Sequence, residues 1–307
     1  MEMNERLTQT LFGLTFSNPV IAASGTYGWG SAYRDFYDVS RIGGFVTKSV
    51  TPEPRKGNPT PRIIETPSGM LNAIGLQNDG LDHFVSDIEP GLRGIGTNVI
   101  VNVAGRTVED YLTVCRRLDG LDSIGAFEIN ISCPNVKEGG ISFGSKPESV
   151  SDVVSKVRAA TAKPLIVKLT PNVADIVSIA KAAEDAGAQA VSLINTLTGM
   201  VVDVERRRPM LANITGGLSG PAIRPVAVRM VYQTARAVHI PVIGMGGIFS
   251  ARDALEFIIA GASLVSVGCG MFVNPMLPIE VMEGIDEYLA SHGMSSVTEL
   301  IGSINVS

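Results

Sequence analysis

Short apolar or β-branched runs recur along the chain at residues 19–23, 45–49, 99–104, 127–132, 164–169, 190–196, 241–245 and 264–268. Each reads as a strand, because a few such residues bounded by glycine, proline or polar clusters suit an extended backbone. Between them the period lengthens. Residues 175–186 put Ile176, Ile179, Ala180 and Ala183 on one stripe before Gly187, and residues 251–260 do so with Ala254, Leu255 and Ile258 before Gly261. Strands that are apolar almost throughout must be covered on both faces, the condition of a parallel sheet under helices. Eight strands alternating with helices predict an α/β fold, the (β/α)8 TIM barrel.

Three connections are long: 51–77, 134–146 and 197–221. All follow strands, so they are expected as extended loops at the C-terminal face, where barrel enzymes hold their sites. No repeat beyond the βα unit and no linker-like tract divides the sequence, so 1–307 is expected to be a single domain.

A chain of 307 residues buries roughly three quarters of its unfolded surface, enough for one core without disulfides or a structural metal. With 45% apolar residues, 18% charged residues and 33 glycines it has the make-up of a loop-rich α/β enzyme. The net charge of −5 argues against a nucleic-acid partner. No basic region precedes an apolar run at the N-terminus, and no stretch is apolar enough for a membrane span, so a cytoplasmic protein is expected. Cys115, Cys133 and Cys269 lie far apart without CxxC spacing, which signals neither zinc nor an iron-sulfur cluster. Electrons leaving this chain for a cluster would need another subunit. His83 falls in a helical stretch, His239 just before a strand and His292 in the tail, so proton transfer falls to cysteine, lysine or a carboxylate.

Polar residues collect at the strand ends: Ser24, then Lys48 and Ser49, Asn102, Asn130 with Cys133, Lys168, and Asn195 with Thr196. In a barrel these converge on one mouth. Cys133 sits in INISCPNVKEGG, where Pro134 stops the strand and a polar, glycine-rich segment reads as a mobile flap. The competing reading is a small buried core cysteine. Asn130 and Asn135 favour a site, since amides at a strand end are costly to bury without partners. Gly246 and Gly247 follow the seventh strand, and Gly268, Cys269 and Gly270 the eighth. Glycine turns there expose backbone N–H groups able to hold a phosphate; the competing reading is tight turns only. Lys168 ends an apolar strand and needs a partner, which a flavin gaining charge on reduction would supply. Lys48 could neutralise an anion in the same way or lie exposed on the rim.

The stretches VTKSVT, NAIGLQN, INISCPNVKEGG, VKLTPN, INT, IGMGGI and VGCGMF, in this order over nearly the whole chain, resemble the class 1 dihydroorotate dehydrogenases. The resemblance implies an FMN-bound barrel oxidising (S)-dihydroorotate to orotate in pyrimidine synthesis. It places Cys133 as the base taking the C5 proton while hydride leaves C6 for flavin N5. It assigns substrate contacts to Lys48, Asn72, Ala73, Ile74, Gly75, Leu76, Asn130, Asn195 and Thr196. It assigns FMN contacts to Ser24, Lys48, Ser49, Asn102, Asn130, Lys168, Ile194, Gly220, Gly246, Gly247, Gly268 and Cys269. The loop carrying Cys133 would close over the substrate.

A cysteine base without an extra N-terminal membrane segment is unlike the membrane-bound class, which uses serine. VKEGG after Asn135 is similar to the NAD-linked subtype. That similarity implies a partner subunit carrying FAD and a [2Fe–2S] cluster, electrons delivered to NAD+, and a heterotetramer of two catalytic and two electron-transfer subunits. Cys269 departs from the threonine common beside the FMN phosphate, Ser49 stands where a small residue is usual, and Cys115 reads as core. The alternatives are the fumarate-using class 1 homodimer, a related flavoenzyme of pyrimidine bases, and a barrel that binds a phosphorylated ligand or forms a Schiff base through Lys48 or Lys168.

Overall fold

The computed structural model describes residues 4–132 and 143–306. Eight strands, β1 (Val20–Ala22), β2 (Gly44–Val46), β3 (Asn98–Val103), β4 (Ala126–Asn130), β5 (Leu165–Lys168), β6 (Ala190–Leu193), β7 (Val242–Met245) and β8 (Leu264–Val267), close into a barrel. Each pairs in parallel with the next in sequence, and β8 returns to β1 through Val265↔Val20 and Val267↔Ala22. The predicted eight are all present, several ending a few residues early. The fourth stops at Asn130, and Lys48 and Ser49 lie just beyond β2.

Side chains alternate across each strand. One set points outward and packs with Val150, Val154, Ile179, Ala183, Phe257 and Ile258 of the helices. The other fills the barrel: Ile21, Val46, Ile100, Ala126, Ile166, Ala190, Ile243 and Leu264 form a buried cluster with Phe16. Phe16 belongs to an N-terminal hairpin, Gln9–Leu11 with Leu14–Phe16, that was not anticipated. Placed against the inner residues, it is fully buried and plugs the barrel.

Among the described residues, six long helices cover the sheet: α1 (Val108–Leu118), α2 (Pro147–Ala160), α3 (Ile176–Asp185), α4 (Arg224–Ala235), α5 (Ala251–Ala260) and α6 (Leu277–Ser291). Their starts are chemically marked. Thr107 and Asp110 form a capping box on α1, Asp175 accepts from Val177 and Ser178 on α3, and Ser250 accepts from Asp253 on α5. His292 caps the end of α6 and stacks on Tyr288, so it belongs to a helix and not to a loose tail.

Two of the three long connections are not loops. Ile63–Thr66 and Gly69–Asn72 form a hairpin within 51–77, and Gly216–Ser219 pairs antiparallel with the second of these, then with Leu197–Gly199. The result is a four-stranded sheet above the barrel. These strands have three or four mostly half-buried residues, too few to register as hydrophobic periodicity, and become a sheet only by pairing across distant sequence. Most of the remaining connection, 134–146, and Cys133 just before it lie outside the described residues.

Candidate active site

Moving two residues along the strands from the apolar inner layer, the inward side chains turn polar. Ile100 gives way to Asn102, Ala126 to Glu128 and then Asn130, Ile166 to Lys168, Ala190 to Ser192, and Leu264 to Ser266. Period-two alternation makes these the next inward layer at the carboxyl ends of the strands. All six are at least nine-tenths buried. Polar groups taken from water must satisfy one another, and most of them do.

Glu128 Oε1 accepts from Asn102 Nδ2 at 2.6 Å and pairs with Lys168 Nζ at 3.4 Å, while Glu128 Oε2 accepts from Ser192 Oγ at 2.9 Å. Lys168 also donates to Ser24 Oγ at 3.0 Å. Asn102 Oδ1 accepts from Ser49 Oγ, and from Asn130 Nδ2 at 3.4 Å. Asn130 Oδ1 accepts from Ser132 Oγ at 2.8 Å, and Ser132 Oγ accepts from Asn195 Nδ2 at 2.6 Å. Residues expected to hold a cofactor and residues expected to hold a substrate thus share one hydrogen-bonded chain.

The chain revises three expectations. Lys168 already has a partner in Glu128, supplied by the protein itself. The amide of Asn130 is satisfied internally, so its burial cost is not by itself a sign of a ligand. Ser49 is not merely a tolerated small residue, because its hydroxyl donates into the network.

Above this floor opens a cleft of about 1070 Å³, roofed by the four-stranded sheet. It is large enough for a cofactor together with a small substrate. Ser24, Lys48, Ser49, Asn130 and Lys168 line it, as do Asn72, Ala73, Ile74, Gly75 and Leu76 from the excursion after β2. Ile194, Asn195 and Thr196 enter after β6, and Gly246, Gly247, Gly268 and Cys269 after β7 and β8. Lys48 is half-buried there, not free on the rim. Leu76 holds a left-handed φ of 57° and Gly75 a φ of 77°, so the turn bordering the cleft is conformationally constrained.

Asn102 and Gly220 do not line the cleft. Asn102 is fully buried beneath it, and Gly220 stands behind Gly247: a Cβ on Gly247 would come within 2.6 Å of the Gly220 carbonyl oxygen. Gly246 and Gly247 have φ of 130° and 78°, which glycine alone adopts freely. Among the described residues, the backbone N–H groups of Gly246, Gly247 and Gly268 donate to no protein acceptor. The buried Ser266 hydroxyl, also on the cleft wall, is likewise without a partner among the described residues. Free donors grouped at one end of a cleft suit a phosphate. A short 3-10 turn, Cys269–Phe272, starts at the same end.

Burial pushes the Cys269 thiol above its ordinary value, opposed by a hydrogen bond from Ser219, so the side chain there is a neutral SH. Cys115, fully buried in α1, is pushed up to about 12 by desolvation, as a core cysteine should be. Among the described residues, no group of acidic, histidine and cysteine side chains could hold a metal ion, and no helix is long and apolar enough to cross a membrane.

Glu128, Ser132, Ser192 and Ser266 were missed from the sequence, as was the exposed Arg106 on the cleft wall. A signal existed for Glu128: a carboxylate within the strand AFEIN is as unusual as the lysine in LIVK. The serines carry no such mark, since serine is compatible with any of these strands.

Residues 6–289 match the family model described as dihydroorotate dehydrogenase. Among curated proteins, the chain is similar to the "Dihydroorotate dehydrogenase B (NAD(+)), catalytic subunit" of Trichlorobacter lovleyi, 55% identical over 98% of this chain and 99% of that one. The protein of the same description from Bacteroides thetaiotaomicron is 55% identical over 95% and 97%. That of Geotalea daltonii is 53% identical over 98% of each.

Proposed function

Given that the chain belongs to the dihydroorotate dehydrogenase family, we infer that it is the catalytic subunit of an NAD-linked enzyme oxidising dihydroorotate to orotate in pyrimidine biosynthesis. Strand ends and two excursions distant in sequence bring Lys48, Asn72, Asn130, Lys168, Asn195 and the two glycine turns after β7 and β8 to one cleft, and that convergence is the observation that carries the reading.

The cleft fits FMN. The free amides of Gly246, Gly247 and Gly268 and the unpartnered Ser266 hydroxyl are suited to its phosphate end, and Lys168, with Ser24 and Ser49, to its ring. The neutral Cys269 thiol is a weaker donor than a hydroxyl but adds no charge beside a phosphate. When bound, FMN would supply the acceptor for the hydride leaving C6.

The remaining work falls to this chain. Asn72, Asn130 and Asn195 are amides able to donate and accept along a planar pyrimidine, and Thr196 adds a hydroxyl. Lys48 offers positive charge to the substrate carboxylate. Because Asn130 and Asn195 are both fixed through Ser132, the substrate would meet donors already oriented, which lowers the entropic cost of reaching the reactive pose. Cys133, the residue after Ser132, is our candidate for the base removing the C5 proton. Its ordinary pKa of about 8.5 leaves a minor thiolate fraction at neutral pH.

The "catalytic subunit" and "NAD(+)" of the relatives' names support a partner through which electrons pass to NAD+ here too. We propose that this partner holds FAD and a [2Fe–2S] cluster in an assembly of two subunits of each kind. The protein purified from its own cells should be yellow, copurify with an iron-sulfur flavoprotein, and lose its flavin absorbance anaerobically with dihydroorotate but not with dihydrouracil. NAD+ should be reduced by the complex. A colourless preparation, or a flavin that dihydroorotate leaves oxidised, would refute the reading.

A further inference from the structure

We propose that Glu128 is a positioning residue that governs the charge of the cleft floor and, through Lys168, how strongly the site favours reduced flavin; this rests on the FMN reading above. Glu128 does not line the cleft, whereas Lys168 does. Any influence of the carboxylate therefore passes through the groups it holds.

Its surroundings are those of an ionised carboxylate. The Glu128 side chain is 1% exposed, and both oxygens are engaged, by Lys168 and Asn102 on one and Ser192 on the other. A buried carboxylate is tolerated only with such a set, and a buried ammonium only with such a carboxylate. Lys168 has three donor hydrogens. Ser24 and Glu128 accept from two, which leaves one for a bound group. Asn102 Nδ2 likewise has a second hydrogen beyond the one given to Glu128.

An unpaired ammonium at the floor would present a full positive charge. With a carboxylate 3.4 Å away it presents a dipole of no net charge. A flavin gains negative charge on reduction, so cancelling the lysine field holds its potential down, and removing the carboxylate must raise it. A carboxylate that served only to fill space or tie strands together would leave the potential unchanged.

The experiment is a redox titration of the FMN-loaded protein against reference dyes, comparing it with Glu128→Gln and Glu128→Asp. Glu128→Gln should raise the equilibrium constant for reduction by about tenfold or more, about 30 mV more positive for a two-electron couple. Glu128→Asp keeps the charge but draws it back by one methylene, and should give a smaller shift of the same sign. A loaded Glu128→Gln protein with unchanged or lowered potential overturns the proposal. Should that variant fail to fold or load, Glu128→Asp decides alone: a potential equal to the parent's overturns it. An unmodified protein lacking flavin would sink the FMN reading itself, a different result from loaded variants whose potentials do not move.

Discussion

Asn195 Nδ2 lies 2.6 Å from Ser132 Oγ, which joins the end of β6 to the residue preceding Cys133. Ser132 in turn donates to Asn130 Oδ1, so one hydroxyl orients two amides of the cleft. Ser132→Ala would leave both without that partner. An unsatisfied buried polar group costs about 1–3 kcal/mol, so the KM for dihydroorotate should rise about tenfold or more, with flavin content unchanged. Steady-state kinetics on loaded protein checks this.

Cys133→Ser replaces a thiol with a hydroxyl of much higher pKa. Flavin should be retained and single-turnover flavin reduction slowed on the order of 100-fold. In the unmodified protein the same step should speed up as pH rises through the thiol titration, and a flat profile would remove Cys133 from the base role.

Gly247 has a φ of 78°, and a Cβ there would sit 2.6 Å from the Gly220 carbonyl and 2.9 Å from the Arg224 side chain. Gly247→Ala must therefore strain or shift the turn after β7, at a cost of about 1–3 kcal/mol. FMN retention on gel filtration should fall well below that of the parent, while far-ultraviolet circular dichroism stays the same.

Two described thiols differ in access. Cys115 is buried and pushed up to about 12, so it should resist alkylation until the protein unfolds. Cys269 lines the cleft with its thiol raised by burial, so alkylation at neutral pH should be slow, accelerate toward alkaline pH, and be blocked by bound FMN. Mass spectrometry of iodoacetamide-treated peptides distinguishes the two.

On the acid side, Arg93 holds the Glu89 carboxyl below its ordinary value of 4.5, aided by Ser123 and opposed by burial. The folded protein then binds fewer protons at this site than the unfolded chain. Its stabilising contribution is complete above pH 4.5 and is lost as pH falls through the lower folded value. The gap in urea midpoint between the parent and Glu89→Gln should be widest above pH 4.5 and narrow below it.

The barrel could be read from the chain because strand burial on both faces leaves apolar runs, and helix stripes and caps leave a different period between them. The strand ends could be read too, since Lys48, Asn102, Asn130, Lys168 and Asn195 interrupt or follow those runs. The turn after β7 announced itself as glycines, because no other residue takes φ of 130° or 78° without strain. What the sequence left open was which polar residues satisfy one another. The pairing of Glu128 with Lys168 joins residues 40 apart, and that of Asn195 with Ser132 residues 63 apart. Only closure of the barrel brings them within hydrogen-bond reach. The same holds for the four-stranded roof, whose short segments have no pattern of their own and exist because an edge met another edge across the cleft. Local periodicity is written in neighbouring residues; mutual satisfaction of buried polar groups is a property of tertiary distance.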